Sequence, residues 1–407
     1  MRACAFIVAM LAIIFLTTSV AYAEAEMVRL AVGTHLRASQ ALLTSGKYQE
    51  ALAALSPLAA IPDKTPYEIY MIDRTRVAIA SASGDDTLSI AASEAIIQSG
   101  HLPLAEQPKF VRALASLYNK QQEYKKTISL LSHYPQETDA DPKMRVLLTQ
   151  AYYRSDDFLR ASQELQKDIQ ADESLGRTPA MNMLQMLLNC AAKLHDKAGY
   201  ASTLEKLVAN YPTKEYWDDL MYRLETRPTF SLRLMLDAYR LRHAVGALNK
   251  AADFMEMARL ALNAGFPAEA KGILNQGFDI GILGSGPEAV RQRRMRDLAT
   301  KSAATDLKAI RKSEAETAKF GDGSALVNVG YAYVTIGDLD KGISLMEQGI
   351  RTGGVKHAED ARLHLAYAYV LADRKPNAMQ LFKTIQGSDG TLDLARYWLL
   401  FLDRPLE

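Results

Sequence analysis

The sequence predicts an all-α protein, a solenoid of helix-turn-helix repeats. Three observations lead there. A turn motif returns at intervals near 36 residues, small and aromatic residues recur at fixed offsets around it, and no stretch has the period-two alternation of a strand.

The first element has a different character. Met1-Arg2-Ala3-Cys4 precedes an apolar run from Ala5 to Leu16, and Ala21-Tyr22-Ala23 offers a small-x-small cleavage site. One basic residue, a short apolar core and such a site are the parts of a signal peptide. The run is too short for a bilayer-spanning helix, which needs about 20 apolar residues. Residues 1–23 are therefore expected to be removed, leaving a periplasmic chain with no stable membrane anchor. Cys4 lies ahead of the apolar core rather than at its end, so lipid anchoring is not expected either.

Removal of Arg2 would balance the charges, because the whole chain carries 48 basic and 47 acidic side chains. A neutral chain exerts no long-range pull on nucleic acid or an anionic membrane. After Ala23 only Cys190 remains, so no intrachain disulfide can form and a large apolar core has to supply stability. The absence of any Asn-x-Ser/Thr site fits bacterial export.

The repeats follow. A turn of small or polar residues is followed two positions later by an aromatic or apolar residue and three after that by a small one. Copies read Gly46-Lys-Tyr48-x2-Ala51, Gln122-Glu-Tyr124-x2-Thr127, Asp156-Asp-Phe158-x2-Ala161, Ala198-Gly-Tyr200-x2-Thr203, Gly265-Phe-Pro267-x2-Ala270, Gly337-Asp-Leu339-x2-Gly342 and Asp373-Arg-Lys375-x2-Ala378. A weaker copy starts at Gly84, and the spacing implies two more near residues 232 and 301. Helix breaks are expected at Gly265-Phe266-Pro267, Thr352-Gly353-Gly354 and Gly387-Ser388-Asp389-Gly390. Ser285-Gly-Pro287-Glu288 reads as a helix start with a capping box.

First helices carry Leu114-Ala115-x2-Tyr118, Leu148-Thr149-x2-Tyr152, Val329-Gly330-x2-Tyr333 and Leu365-Ala366-x2-Tyr369. Their second helices carry Thr127-x3-Leu131, Ala161-x3-Leu165, Gly342-x3-Met346 and Ala378-x3-Phe382. Small residues let two helices approach closely and the aromatic fills the gap between hairpins. With these motifs the chain resembles tetratricopeptide repeat (TPR) proteins, whose repeat is 34 residues. The stretch from Tyr211 to Gly284 and the ending from Gly390 to Trp398 are similar to an uncharacterised subfamily of exported bacterial TPR proteins. The resemblance implies a right-handed superhelical solenoid and a habit of binding proteins or peptides, and it implies no reaction. It divides the chain into the signal peptide 1–23, N-terminal repeats 24–212, degenerate helical repeats 213–320, and C-terminal repeats 321–407 with a capping helix.

Residues that would carry chemistry do not assemble into a constellation. The seven histidines contain no H-E-x-x-H pair, and His357 and His364 stand too far apart on a helix to share a metal. Cys190 lies in an apolar helical run, where a buried, inert thiol is expected. The arginines at 291, 293, 294 and 296 are interspersed with acids and lack interleaved aromatics, which makes a solvated helix face. Gly281-x2-Gly284-x-Gly286 lacks the Lys-Ser/Thr of a phosphate loop. No cofactor and no metal site is expected.

The function expected is that of a non-enzymatic scaffold or adaptor in the bacterial periplasm, binding a peptide or partner protein in the solenoid groove. The alternative is a cell-envelope enzyme, or a helical accessory subunit of a cell-wall enzyme. Some TPR adaptors hold a C-terminal carboxylate with basic residues and asparagine on successive first helices. Asn328 matches one such asparagine, but Asp360 and His364 stand where basic residues are needed, so that clamp is not expected. Lys109, Arg112, Asn119, Lys143 and Gln150 instead occupy groove-facing slots; if they share one face they make a basic, hydrogen-bonding wall suited to acidic or carboxylate-bearing ligands, the alternative being an ordinary solvated helix face. Part of the apolar C-terminal segment, with Leu394, Tyr397, Trp398, Leu399, Phe401 and Leu402, is expected to pack on the last hairpin as a cap, the alternative being a dimer or membrane contact.

Overall fold

The backbone shows why the chain turns where it does. A computed structural model describes residues 27–320 and 322–404, in which 21 α-helices and two short 3-10 helices follow one another without a strand. Residues 1–23, expected from the sequence to be a signal peptide, lie outside the described residues. Two compact units are formed, one ending at Asp157 and the other beginning at Phe158.

The first unit contains α1 (Leu30–Thr44), α2 (Tyr48–Ala53), α3 (Pro66–Ser83), α4 (Asp86–Gln98), α5 (Gln107–Lys120), α6 (Tyr124–His133), α7 (Pro135–Ala140) and α8 (Pro142–Arg154). Helices α1 and α2, α3 and α4, and α5 and α6 pack as antiparallel hairpins. Between the members of each pair stands a left-handed residue: Gly46, Gly84 or Gln122. At Gly46 and Gln122 an amide reaches back five residues, Lys47 to the Leu42 carbonyl and Glu123 to that of Tyr118, and so closes the helix end. The start of α3 has a full capping box: Thr65 accepts from the Glu68 amide, and the Glu68 carboxylate accepts from the Thr65 amide. Glu68 also takes Arg29, whose hydrogen bonds outweigh burial and hold the carboxyl near 2.

The second unit contains α9 (Phe158–Ser174), α10 (Met181–Lys193), α11 (Lys197–Asn210), α12 (Lys214–Glu225), α13 (Met235–Ala244), α14 (Ala251–Asn263), α15 (Pro267–Asp279), α16 (Ala289–Phe320), α17 (Gly323–Thr335), α18 (Leu339–Thr352), α19 (Ala358–Leu371), α20 (Lys375–Phe382) and α21 (Thr391–Asp403). Gly265, Gly337 and Asp373 adopt the expected left-handed turns. Three local expectations are corrected. The turn placed at Ala198 is at His195, with φ 55°, because Asp196 caps α11 through the Gly199 amide and puts Ala198 inside that helix. No turn exists near residue 301, since α16 runs unbroken for 32 residues. Lys301-Ser302-Ala303-Ala304 contains no breaker, so nothing stops it. Nor does Ser285 begin the helix with a capping box, because α16 starts at Ala289, four residues on; the Gly284 amide donates instead to the Gln292 side chain at 2.7 Å.

Helices α17 and α18 meet along a seam of glycines. A Cβ placed on Gly330 would lie 2.7 Å from the Gly342 carbonyl oxygen and 2.8 Å from the Met346 amide nitrogen. A Cβ on Gly349 would lie 2.6 Å from the Gly323 carbonyl oxygen. Backbone meets backbone here, which is why this hairpin carries glycine where others carry alanine or threonine.

An open solenoid keeps contacts between neighbours. The second unit departs from that pattern, because α21 packs on α19 and α20 and also on α11 and α13. Trp398, fully buried, stacks on Phe382 and lies 5.3 Å from Tyr367, as expected of a cap on the last hairpin. Beyond that cap, the Ser231 amide donates to the Asp389 carbonyl at 2.8 Å, and Arg227 pairs with Asp393 at 2.7 Å. Arg233 bridges Asp360 and Asp389, and Arg396 pairs with Glu205. Gly390, at φ 108°, lets the Phe230 ring come so close that a Cβ would lie 2.5 Å from it.

Beneath this closure lies a buried ionic network. Arg240 on α13, 2% exposed, donates to Asp237 at 2.6 Å and with two nitrogens to Glu269 on α15, at 2.8 and 2.7 Å. Its guanidinium stands 4.9 Å from the centre of the Tyr331 ring. His364 on α19 stacks on Tyr331 at 4.6 Å and places Nε2 3.0 Å from Asp237. Burial pushes the Asp237 carboxyl up, but His364 and Arg240 outweigh it and hold the carboxyl near 2. Asp360 and His364, considered for a groove, thus fasten α19 to the segment around α13.

Candidate functional site

The candidate groove lies in the first unit, between α5 and α8. Both helices divide into two faces by their periodicity. In α5, Val111, Leu114, Ala115 and Tyr118 are buried, leaving Lys109, Arg112, Ala113 and Ser116 toward the groove. In α8, Met144, Leu148, Thr149 and Tyr152 are buried, leaving Lys143, Val146, Leu147 and Gln150. Asp141 caps α8 through the Lys143 amide at 2.8 Å, and Pro142 occupies the first turn, where no amide is needed. The open groove between them measures about 690 Å³.

Four of the six residues singled out from sequence line this one cavity: Lys109, Arg112, Lys143 and Gln150. Their charge is less than their count implies. Arg112 donates to Asp141 at 2.7 Å, tying α5 to the start of α8. Burial raises the Asp141 carboxyl, but the Lys143 amide and Arg112 more than offset it, leaving the carboxyl below its ordinary value. Among the described residues no acid pairs with the other two cations of the groove, Lys109 and Lys143, which line it together with Ala113, Val146 and Leu147. Val146 is 47% exposed, high for a β-branched apolar side chain on a helix.

Asn119 has a different role. It donates to the Leu147 carbonyl at 3.1 Å and accepts from Thr127 at 3.0 Å, joining α5, α6 and α8 behind the groove. Asn328 lies in the other unit, exposed on α17, and lines a separate cavity against α16. Sequence reasoning passed over the apolar strip, whose residues look unremarkable singly, and over Asp141, whose pairing with Arg112 crosses 29 residues.

Among the described residues no three His, Cys, Asp or Glu side chains gather as a metal ion would require, and no helix is long and apolar enough to cross a membrane. Cys190 is buried, and burial pushes its thiol up to about 11, away from the thiolate a nucleophile needs.

No family model matches this sequence, and no curated protein does. Among solved structures it is similar to Naa15/Naa10 bound to HypK-THB, at 12% identity and a TM-score of 0.30, over 89% of this chain and 64% of that one. It is also similar to the TPR2AB domain of yeast Sti1 in its pHSP90 complex, at 14% identity and 0.24, over 74% of this chain and 93% of that one. Yeast Tom70 matches at 10% identity and 0.24, over 92% and 96%.

Proposed function

We propose that the chain is a protein-interaction scaffold whose α5–α8 groove holds an extended peptide bearing carboxylates beside apolar side chains. The observation that carries the reading is the meeting of two ammonium groups, Lys109 and Lys143, unpaired among the described residues, with exposed Ala113 and Val146 and half-buried Leu147 in one open cavity. A carboxylate set against either lysine forms a charge-assisted hydrogen bond, while Val146 and Leu147 gain from contact with apolar side chains. The proposal assigns the chain no catalytic step. It also places the chain in the bacterial periplasm, on the composition of residues 1–23, with the mature chain beginning at Glu24. Intact mass of chain recovered from periplasm checks that start, and a full-length, membrane-retained product refutes it.

The groove is tested by fluorescence anisotropy with short labelled peptides alternating Glu with Leu, against counterparts alternating Lys with Leu. The acidic peptide is expected to bind saturably and the basic one not to. Reversal of both charges, Lys109→Glu with Lys143→Glu, should weaken the acidic peptide by about tenfold or more and abolish its salt dependence. Unchanged affinity and salt dependence in a folded double variant would refute the placement. Arg112 is left intact, because its partner is Asp141.

A further inference from the structure

The second unit holds a cavity of about 340 Å³ between α16 and α17, closed on one side by the turn at Gly265. Its wall on α16 is Asp306, Ala309, Ile310, Ser313 and Thr317, at helical spacings that put all five on one face. Asn328 and Val329 face them from α17, between Ala325 and Ala332. Alanines on both helices leave the space open, and Ile310 and Val329 make its floor apolar.

Around this space Thr317 is buried and Asp306 half-buried, while Ser313 and Asn328 are exposed. Among the described residues no partner is found for the side chains of Asp306, Ser313, Thr317 or Asn328. Thr317 is only 8% exposed. A helix acid ordinarily finds a cation three or four positions away. Around Asp306 those positions hold Ser302, Ala303, Ala309 and Ile310. Lys301, Lys308 and Arg311 are five, two and five positions away, toward the far side of the helix. Partial burial accordingly raises the Asp306 carboxyl above its ordinary value, with no charge opposing it.

We propose that this cavity is a binding site for an alkylammonium group. An ammonium presents three donors and no acceptor. The cavity offers one carboxylate together with acceptor oxygens on Ser313, Thr317 and Asn328, above an apolar floor that suits an alkyl stem. Anionic ligands are disfavoured by Asp306. A hard divalent cation asks for six or more oxygens, usually with several carboxylates, and only one is present. The site carries the opposite charge to the carboxylate clamp for which Asn328 was first noted, and it stands independently of the α5–α8 groove.

The test uses the full chain and ligand-observed saturation-transfer NMR, with n-butylammonium as probe and n-butanol as its neutral counterpart. Saturable binding of n-butylammonium is expected with a Kd of about a millimolar, and binding of n-butanol about tenfold weaker or more. Asp306→Asn should weaken the amine by about tenfold, and Ala309→Leu, which fills the cavity and keeps the carboxylate, should abolish binding. Circular dichroism of both variants should match the parent. A second arm offers the same head group as N-acetyl-Gly-Lys-Gly-amide: tighter binding of the peptide identifies a partner's lysine as the source, and tighter binding of the free amine identifies a small metabolite. Failure of both probes to bind overturns the proposal, as does amine binding that survives Asp306→Asn unchanged.

Discussion

Replacing Gly330 by alanine tests the packing logic of the repeats at its tightest point. The new methyl would stand 2.7 Å from the Gly342 carbonyl oxygen and 2.8 Å from the Met346 amide nitrogen. Both are backbone atoms of α18, so no side-chain rotation relieves the contact. Restoring ordinary separation takes roughly 0.6 Å of movement between the helices, enough to forfeit about a quarter of the dispersion energy at the contacts that open. Overpacking of this kind costs about 1–3 kcal/mol, and the rigidity of both partners puts Gly330→Ala at the upper end. Alanine's better helix propensity returns about 1 kcal/mol, leaving a net loss of about 2 kcal/mol and a melting temperature lower by about 5 °C. The control is Gly272→Ala on α15, where an added Cβ meets nothing within 4 Å. That variant should gain up to about 1 kcal/mol from the same propensity difference. Urea and thermal unfolding followed by circular dichroism measure both. If Gly330→Ala is as stable as Gly272→Ala, the seam is not close-packed and the argument fails.

Other perturbations have equally definite outcomes. Gln122 sits in the left-handed region at φ 61°, so Gln122→Gly should stabilise the chain by about 1 kcal/mol in urea unfolding; a loss of stability would contradict the turn. Arg240→Ala strips Glu269 of its cation and leaves buried Asp237 to His364, and should cost about 3–5 kcal/mol; a loss below about 1 kcal/mol in the same assay would show that the network is not buried in solution. The Asp237 carboxyl is held near 2 in the folded state, below its unfolded value of about 3.9. Its stabilisation is therefore complete above about pH 4 and is lost as pH falls toward 2; the stability difference between wild type and Asp237→Asn should shrink across that window, and a constant difference refutes the assignment. Truncation after Gly390 removes α21 and should lower the melting temperature and speed amide exchange in α11 and α13, whereas exchange changes confined to α19 and α20 would mean that the closure does not hold.

Most turns were legible because each one depends on a local event. Gly46, Gly84, Gln122, Asp156, Gly265, Gly337 and Asp373 all take the left-handed conformation at the positions the motif gave them. The motif slipped by three residues at His195 because Tyr200 sits two positions after Ala198 and imitates the aromatic of the other copies. It failed at residue 301 because spacing alone implied a turn, and a turn needs a chain that stops being helical. The groove was half legible. Lys109, Arg112, Lys143 and Gln150 lie on successive first helices, and stacking brings them to one cavity. Asn119 shares the spacing but turns toward Thr127, whose hydroxyl it bonds. Nothing local marks Asp237 as the partner of His364 or Glu205 as that of Arg396, since these pairs are separated by 127 and 191 residues.

The closure of α21 onto α11 and α13 sets a clock on biosynthesis. A chain emerges from the ribosome at about 5–20 residues per second. The helices that receive α21 are complete at Ala244, and α21 itself ends at Asp403. Between those two moments lie roughly 10–30 seconds in which the α11–α13 surface has been made and its cover has not. A strictly nearest-neighbour array would spread that exposure over many short intervals, each ended by the next hairpin. Here one interval is long, and it ends only when Leu394, Tyr397, Trp398 and Leu402 arrive. The arrival of α21 thus decides when the middle of this unit can leave the care of whatever holds unfolded chains apart.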